Sequence, residues 1–198
     1  MVKTLFDLFF SLIAIIVFSP LLLILAVIIR SDGGPVFYRG VRVGLNGKLF
    51  RIFKFRSMVV NADKIGGSST SEDDPRLTKI GQFIRKYKLD ELPQFINVLV
   101  GDMSIVGPRP EVPSEVATYS EEEKNILSVR PGITDYASLE YHNESEILKG
   151  AKDPHQAYRE KIRPGKLKLA LKYVNERSFK TDLDLIYQTF KTLVITRI

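Results

Sequence analysis

The sequence contains no cysteine, which excludes a disulfide, a thiol nucleophile and a cysteine-ligated zinc site. This composition suits a reducing compartment. Histidine is scarce as well, because His142 and His155 stand thirteen residues apart in polar surroundings and form no metal-ligand spacing. The glycine-rich phosphate-binding patterns GxxxxGK and GxGxxG do not occur. The common sequence signatures of nucleotide and zinc sites are therefore missing.

Charge of either sign is absent from Leu8 to Ile29, a run of twenty-two residues. At about 1.5 Å per residue, this run is long enough to cross a hydrocarbon core about 30 Å thick. A cleaved signal peptide is disfavoured, because the apolar run exceeds a signal-peptide core and no small-residue cleavage site precedes Arg30. The run predicts a membrane segment within residues 1–30.

Acidic residues are absent from Pro35 to Met58, where six basic residues lie. They are Arg39, Arg42, Lys48, Arg51, Lys54 and Arg56. The positive-inside tendency then places residues 31–198 on the cytoplasmic face of the membrane.

Ser19-Pro20 interrupts the middle of the apolar run. The proline removes one helical hydrogen bond, and the Ser19 hydroxyl can bond back to an earlier carbonyl, so a bend is expected. Two interpretations are open from these residues alone: a kinked helix that spans the membrane, and a re-entrant helix-break-helix that returns to the cytoplasmic leaflet.

The remaining chain predicts a helix-rich α+β domain. Val36–Val43 and Leu49–Phe55 alternate apolar and basic residues around Asn46-Gly47, which predicts a small cationic β-hairpin. A mobile loop, with a possible role as a lid, is predicted for residues 61–74, and a short helix for Thr78–Tyr87. Further helical segments are predicted for Ser120–Leu127, Lys166–Val174 and the C-terminal stretch.

The C-terminal stretch predicts an amphipathic helix that packs on the domain or lies in the bilayer interface. Thr181 and Asp184 suggest its N-terminal capping box. The apolar face contains Leu183, Ile186, Tyr187, Phe190, Leu193 and Val194.

Adjacent acids in KYKLDELPQF admit two interpretations. Asp90 and Glu91 suit the entrance of a helix that contains Pro93 and runs to Val100, with Asp90 as a cap. The alternative is a functional acid pair. Basic residues lie nearby, and the stiff loop GDMSIVGPRPEVP holds Arg109 between two prolines, which suits bidentate capture of a phosphate.

Four segments together resemble the bacterial sugar transferases, the small monotopic phosphoglycosyl transferases. They are SPLLLILAVIIR, FKFRSM, DPRLTKIGQFIRKYKLDELPQFINVLVGDMSIVGPRP and VRPGIT, and the resemblance covers residues 5 to about 134. It implies a re-entrant membrane helix bent at Ser19 and Pro20, and transfer of a phosphosugar from a UDP-sugar to polyprenyl phosphate with release of UMP. This reaction is the first membrane step of glycoconjugate and polysaccharide synthesis.

The resemblance also implies roles for individual residues. Asp90 is expected to be the nucleophile that forms a covalent aspartyl-phosphosugar, and Glu91 is expected to assist catalysis as a metal neighbour or as a proton acceptor. Both acids are expected to hold Mg²⁺, because adjacent carboxylates repel unless a cation lies between them. Arg85, Arg109, Lys54 and Arg56 are expected to bind phosphate.

Residues 135–148 depart from the family pattern, so the transferred sugar is left open. Besides catalysis, a non-catalytic membrane anchor that binds anionic lipids remains a second hypothesis. Nucleic acid is not expected as a partner, because the net charge of +6 is concentrated beside a membrane segment and no recognition motif accompanies it.

Overall fold

A computed structural model describes residues 2–65 and 70–195. It is rich in helix, with small two-stranded sheets, as the sequence predicts. The α-helices are α1 (Val2–Arg30), α2 (Lys79–Lys86), α3 (Gln94–Leu99), α4 (Pro113–Val116), α5 (Tyr136–Glu140), α6 (Glu144–Ile147), α7 (Pro154–Lys161), α8 (Arg163–Glu176) and α9 (Phe179–Ile195). The strands are β1 (Phe37–Tyr38), β2 (Val41–Val43), β3 (Leu49–Arg51), β4 (Lys54–Phe55), β5 (Ser104–Val106) and β6 (Gly132–Thr134).

Helix α1 is the one described helix that is long and apolar enough to cross a membrane. It continues without interruption through Pro20, and the Ser19 hydroxyl donates a hydrogen bond of 2.8 Å to the Ile16 carbonyl. The helix therefore contains the expected serine contact, while a bend at Ser19-Pro20 remains a prediction. Most of its apolar side chains are exposed and do not pack in the interior of the protein.

The N-terminal end of α1 is bonded to the soluble part of the chain. The Lys3 ammonium donates to the Asp182 carboxylate at 2.7 Å. One turn later, the buried Asp7 carboxylate accepts hydrogen bonds from the Ser104 hydroxyl at 2.8 Å and from the Ile105 amide at 3.3 Å. Such long-range polar contacts fix where this end of the helix lies.

The C-terminal end of α1 packs into the same soluble part. Leu25 and Ile29 form a buried cluster with Phe55 of β4 and Ile84 of α2, and Leu89 packs against it. The α1 terminus therefore supports the two segments in which residues 54 and 90 are found.

The predicted hairpin is confirmed. Strand β2 pairs antiparallel with β3, and β1 pairs antiparallel with β4. The connection contains Asn46 at φ 55° and Gly47 at φ 79°, the left-handed conformations that an Asn-Gly turn supplies.

Strands β5 and β6 pair in parallel and bring the VGPRP and VRPGIT segments together. The Gly107 amide donates to Thr134 at 3.0 Å, and the Gly132 amide donates to Pro108 at 3.0 Å. A Cβ on Gly132 would lie 2.1 Å from the Gly107 nitrogen, so only glycine permits this approach. The loop that contains Arg109 is held by this contact.

Two helix predictions are confirmed in part. The helix expected at 78–87 is α2, and Thr78 caps it by accepting the Gly81 amide at 2.9 Å. The segment expected to be helical from Ser120 forms a 3₁₀ helix over Glu123–Ser128.

Two cap predictions were wrong. The last helix begins at Phe179, and the Ser178 hydroxyl accepts the Thr181 amide at 3.1 Å, so Thr181 is not the cap. Helix α3 begins at Gln94 and has no side-chain cap, because Asp90 lies in a preceding 3₁₀ turn, Leu89–Glu91. The capping interpretation of Asp90 therefore fails.

Helix α9 presents an apolar stripe on the surface, formed by Phe179, Leu183, Tyr187 and Phe190. Its opposite face includes the fully buried Leu185, and Ile186 packs against the core. The predicted members Leu193 and Val194 have side chains outside the described residues.

Candidate active site

Lys54 joins the two adjacent acids. Its ammonium lies 3.0 Å from Asp90 Oδ2 and 3.1 Å from Glu91 Oε1. Lys54 precedes Phe55, and Asp90 follows Leu89, so both side chains start next to residues of the cluster at the end of α1. The packing of Phe55 and Leu89 in this cluster therefore brings the side chains of Lys54 and Asp90 together.

Arg109 binds Glu91 through two parallel hydrogen bonds. Its two terminal nitrogens lie 2.6 Å from Oε1 and 3.1 Å from Oε2. The planar guanidinium matches the carboxylate in this arrangement, and Pro108 and Pro110 restrict the backbone on either side. The stiff loop predicted around Arg109 thus places its guanidinium against Glu91, one of the two adjacent acids.

Asn97 holds the hairpin against the helix that follows the acid pair. Its side-chain oxygen accepts the Phe53 amide at 2.7 Å, and its nitrogen donates to the Arg51 carbonyl at 3.0 Å. Because Lys54 comes next in the chain after Phe53, this fully buried amide fixes the distance between Lys54 and Asp90.

Lys88 is a third cation at the site, and the sequence analysis did not identify it. Lys88 lies directly before the 3₁₀ turn and has φ 55°. This left-handed conformation is uncommon for lysine, so the sequence gives no sign of it. Burial lowers the pKa of Lys88, while the Glu91 carboxylate acts in the opposite direction. Its charge lies within the field of the acid pair.

Glu91 is ionised because of its neighbours. Burial alone would raise its pKa, but the charges of Arg109 and Lys54 outweigh burial and hold the pKa well below its usual range. Glu91 in turn raises the pKa of the Arg109 guanidinium. Both groups therefore remain charged at neutral pH.

Asp90 is almost completely buried, with 1% of its surface exposed. Its Oδ2 contacts Lys54, whereas Oδ1 has no hydrogen-bond partner within residues 2–65 and 70–195. A buried carboxylate oxygen without a partner is uncommon and points to a group that binds there.

The other two predicted phosphate-binding residues make no hydrogen bond or ion pair with Asp90 or Glu91 in the described part of the chain. Arg56 donates to the carbonyls of Pro35, Met58 and Ile29, and it pairs with Asp32. The Arg56 guanidinium thus bonds to residues at and just after the C-terminal end of α1, and most of its N–H groups already have hydrogen-bond partners. Arg85 has no hydrogen bond or ion pair to Asp90 or Glu91 in the described part of the chain.

The family model described as "Bacterial sugar transferase" matches residues 1–196. The chain belongs to the bacterial sugar transferase family. Three relatives illustrate the family. An undecaprenyl-phosphate galactose phosphotransferase of Salmonella typhimurium is 42% identical over 72% of this chain and 33% of its own length. A UDP-glucose:undecaprenyl-phosphate glucose-1-phosphate transferase of Escherichia coli is 36% identical over 95% of this chain and 39% of its own length.

A third relative, the exopolysaccharide production protein ExoY of Sinorhizobium fredii, is 34% identical over 98% of this chain and 86% of its own length. The chain therefore spans about a third of the first two relatives and most of the third. These relatives are sugar phosphotransferases that use undecaprenyl phosphate, or proteins of polysaccharide production, as their names state.

For a bacterial sugar transferase, the acid pair offers a limited set of metal ligands. Among the described residues, no three His, Cys, Asp or Glu side chains group together as a metal site. Asp90 Oδ1 is the carboxylate oxygen of the pair that carries neither a hydrogen bond nor an ion pair there. Mg²⁺ binds through one or two carboxylates together with substrate phosphates and water, and the residues fit that mode.

Proposed function

We propose that this chain transfers a phosphosugar from a UDP-sugar to polyprenyl phosphate and releases UMP. The observation that carries the proposal is the cluster of Asp90 and Glu91 with Lys54, Arg109 and Lys88, in a member of the bacterial sugar transferase family. Phosphoryl transfer depends mainly on positioning and on neutralising charge, and three cations around a buried carboxylate meet both needs.

In the first step, an Asp90 carboxylate oxygen attacks the β-phosphorus of the UDP-sugar. The bond from this phosphorus to the bridging oxygen breaks, and UMP leaves with that oxygen. The product on the protein is an aspartyl-phosphosugar. When the donor binds, the Lys54 ammonium exchanges its contact with Asp90 Oδ2 for a phosphate oxygen, which leaves the buried carboxylate a stronger nucleophile.

In the second step, a phosphate oxygen of the polyprenyl phosphate attacks the same phosphorus. The bond to Asp90 breaks, the carboxylate is restored, and polyprenyl-diphospho-sugar is formed. Arg109 and Lys88 stabilise the negative charge of the phosphoryl group in both steps. When bound, Mg²⁺ would neutralise diphosphate charge, with Asp90 as its protein ligand and Glu91 beside it.

The membrane position proposed for this site follows from α1. Both ends of the helix contact the same soluble part, through Lys3 and Asp7 at one end and Leu25 and Ile29 at the other. A helix that crosses a bilayer separates its ends by about 30 Å of hydrocarbon, so these contacts support the re-entrant form. The exposed apolar stripe of α9 supports contact with the same leaflet.

The test is UMP release from a panel of UDP-sugars with undecaprenyl phosphate, with Mg²⁺ or with EDTA. We expect turnover by the parent with at least one UDP-sugar, and a fall of about 10³-fold or more for Asp90→Asn, because the amide is a poor nucleophile. Asp184→Asn, the same change at an exposed acid of α9, is the matched control. Equal rates for the parent and Asp90→Asn would refute the nucleophile, and a parent that binds anionic vesicles without any turnover would favour the lipid-binding alternative.

A further inference from the structure

Helix α3 contains two buried amide side chains, Gln94 and Asn97, which differ in their hydrogen bonds. Gln94 is 1% exposed and Asn97 is 0% exposed. Both ends of the Asn97 amide are used by the backbone of residues 51 and 53. The Gln94 Nε2 group, by contrast, has no hydrogen-bond partner among the residues that the structure describes.

A buried amide donor without a partner is unfavourable. Leaving such a group unsatisfied costs about 1–3 kcal/mol, and native proteins keep few of them. An apolar side chain would avoid this cost at no loss of an internal hydrogen bond. The presence of glutamine at this position therefore points to a partner that arrives from outside the chain.

The second unsatisfied atom of this region is Asp90 Oδ1. Asp90 precedes Gln94 by four residues along a helical stretch, a spacing that places side chains on neighbouring turns. One atom is an acceptor and the other a donor, yet they do not bond to each other. This arrangement is suited to a third group that takes the lone pair of one and the N–H of the other.

We propose that the Gln94 side-chain amide donates a hydrogen bond to a non-bridging oxygen of the phosphoryl group that Asp90 attacks. The inference rests on the proposed function. A phosphorus bonded to Asp90 Oδ1 has its remaining oxygens beside that atom, where they accept the Nε2–H. A neutral donor also suits this position, because three cations already surround the two acids and a fourth would lack a counter-ion before the donor binds.

The proposal is tested with Gln94→Met and Gln94→Glu in the first half-reaction, measured as UMP formation in a single turnover without the lipid acceptor. Methionine keeps the unbranched shape and removes the donor, so we expect a rate about 10²-fold or more lower at every pH, with little change in the concentration of UDP-sugar needed for half-saturation. Glutamate at high pH replaces the donor with a charged acceptor, and its rate should be at least as low.

The pH profile separates this role from a structural one. Gln94, unlike Glu91, has no hydrogen bond to Lys54, Lys88 or Arg109 in the described part of the chain, and it follows the Asp90 carboxylate by four residues. Burial and this like charge both raise the pKa of a carboxyl group at position 94, so the glutamate variant takes up a proton as pH falls and its O–H becomes a donor. We expect the ratio of its rate to the parent rate to rise about 10-fold or more from pH 8 to pH 5.5, and the methionine ratio to stay flat. A flat ratio for Gln94→Glu would overturn the proposal.

Thermal unfolding supplies the second measurement. Gln94→Met should keep the melting temperature of the parent or raise it, because the amide nitrogen makes no internal hydrogen bond. Asn97→Leu is the matched control and should melt at a clearly lower temperature, since it leaves the buried Phe53 amide and Arg51 carbonyl unpaired. A comparable fall for Gln94→Met would show a structural role and overturn the proposal.

The proposed function and this inference fail in different ways. A parent protein that forms no UMP from any UDP-sugar refutes both. A parent that forms UMP, together with a Gln94→Met variant of equal rate, refutes the role of Gln94 alone.

Discussion

At the scale of single residues, shape distinguishes the two cations that touch Glu91. Lys54 offers a compact ammonium that contacts both acids, whereas Arg109 offers a flat fork that bonds both oxygens of one acid. In the proposed mechanism, Lys54 exchanges its contacts when phosphate arrives, and Arg109 keeps Glu91 oriented. The two cations are therefore not interchangeable.

Replacing Arg109 by lysine tests this distinction. Arg109→Lys keeps the charge and removes one of the two parallel hydrogen bonds, each worth about 1.5–3 kcal/mol when charged groups take part. We expect kcat/KM for the UDP-sugar to fall about 10- to 100-fold in steady-state assays of UMP release. The exposed Arg51→Lys serves as the control, and equal activity of both variants would show that the fork has no role.

Residues of the candidate site could be identified from the sequence where they belong to a short motif. Arg109 between two prolines and the acids of KYKLDELPQF were found in this way. Lys88 was missed because a left-handed lysine leaves no sequence signal. The backbone partners of Arg56 beside the end of α1 also gave no sequence signal, and its role in phosphate binding stays a prediction. In both cases the decisive information is tertiary.

At the scale of elements, the parallel pair of β5 and β6 determines where Arg109 lies. The strands join segments that are more than twenty residues apart in the chain, and they approach so closely that glycine is required at Gly107 and Gly132. The two proline-glycine turns are separate in the sequence, but in the fold they pair and together hold the loop that contains Arg109.

A methyl group at Gly132 should displace the Arg109 loop. The added Cβ would meet the Gly107 nitrogen at 2.1 Å, so the backbone has to move. Since a shift of about 1 Å in a positioned group can cost about 10²-fold in rate, we expect a loss of that order for Gly132→Ala. UMP release and circular dichroism check this outcome, with the exposed Ser128→Ala as control, and a fully active Gly132→Ala would contradict it.

Local signals predicted the elements better than their ends. Asn46-Gly47 and Thr78 act within a few residues, and both the hairpin and α2 formed as expected. Thr181 was mistaken for a cap because Ser178, three residues earlier, meets the same requirement, and only the path of the chain after α8 decides between them. Asp90 does not serve as a cap because the 3₁₀ turn Leu89–Glu91 intervenes and the helix begins only at Gln94.

At the scale of the whole molecule, α1 belongs to the soluble fold at both of its ends. The Lys3 contact with Asp182 and the packing of Ile29 against Phe55 lie at opposite ends of a 29-residue helix. The sequence left the spanning and re-entrant forms open, because hydropathy describes the length of a segment and not the position of its ends. The long-range contacts at both ends of α1 support the re-entrant form, which stays a proposal.

Single cysteines test the proposed topology, and the chain has no native cysteine to interfere. We expect Val2→Cys and Lys48→Cys to behave alike: a membrane-impermeant maleimide should label both in inverted membrane vesicles and neither in intact cells. Lys48 lies in the hairpin turn and reports the soluble side. Labelling of Val2→Cys in intact cells, with Lys48→Cys unlabelled, would establish a spanning helix and refute the re-entrant form.

The double contact of Lys54 determines how the resting protein behaves on the proposed mechanism. While the ammonium lies against both carboxylates, its positive charge holds part of the electron density of Asp90 and lowers the nucleophilicity of that carboxylate. An incoming diphosphate competes for the same ammonium, so the arrival of the donor unmasks the nucleophile that will attack it. Binding of the donor itself then acts as the trigger for the attack by Asp90.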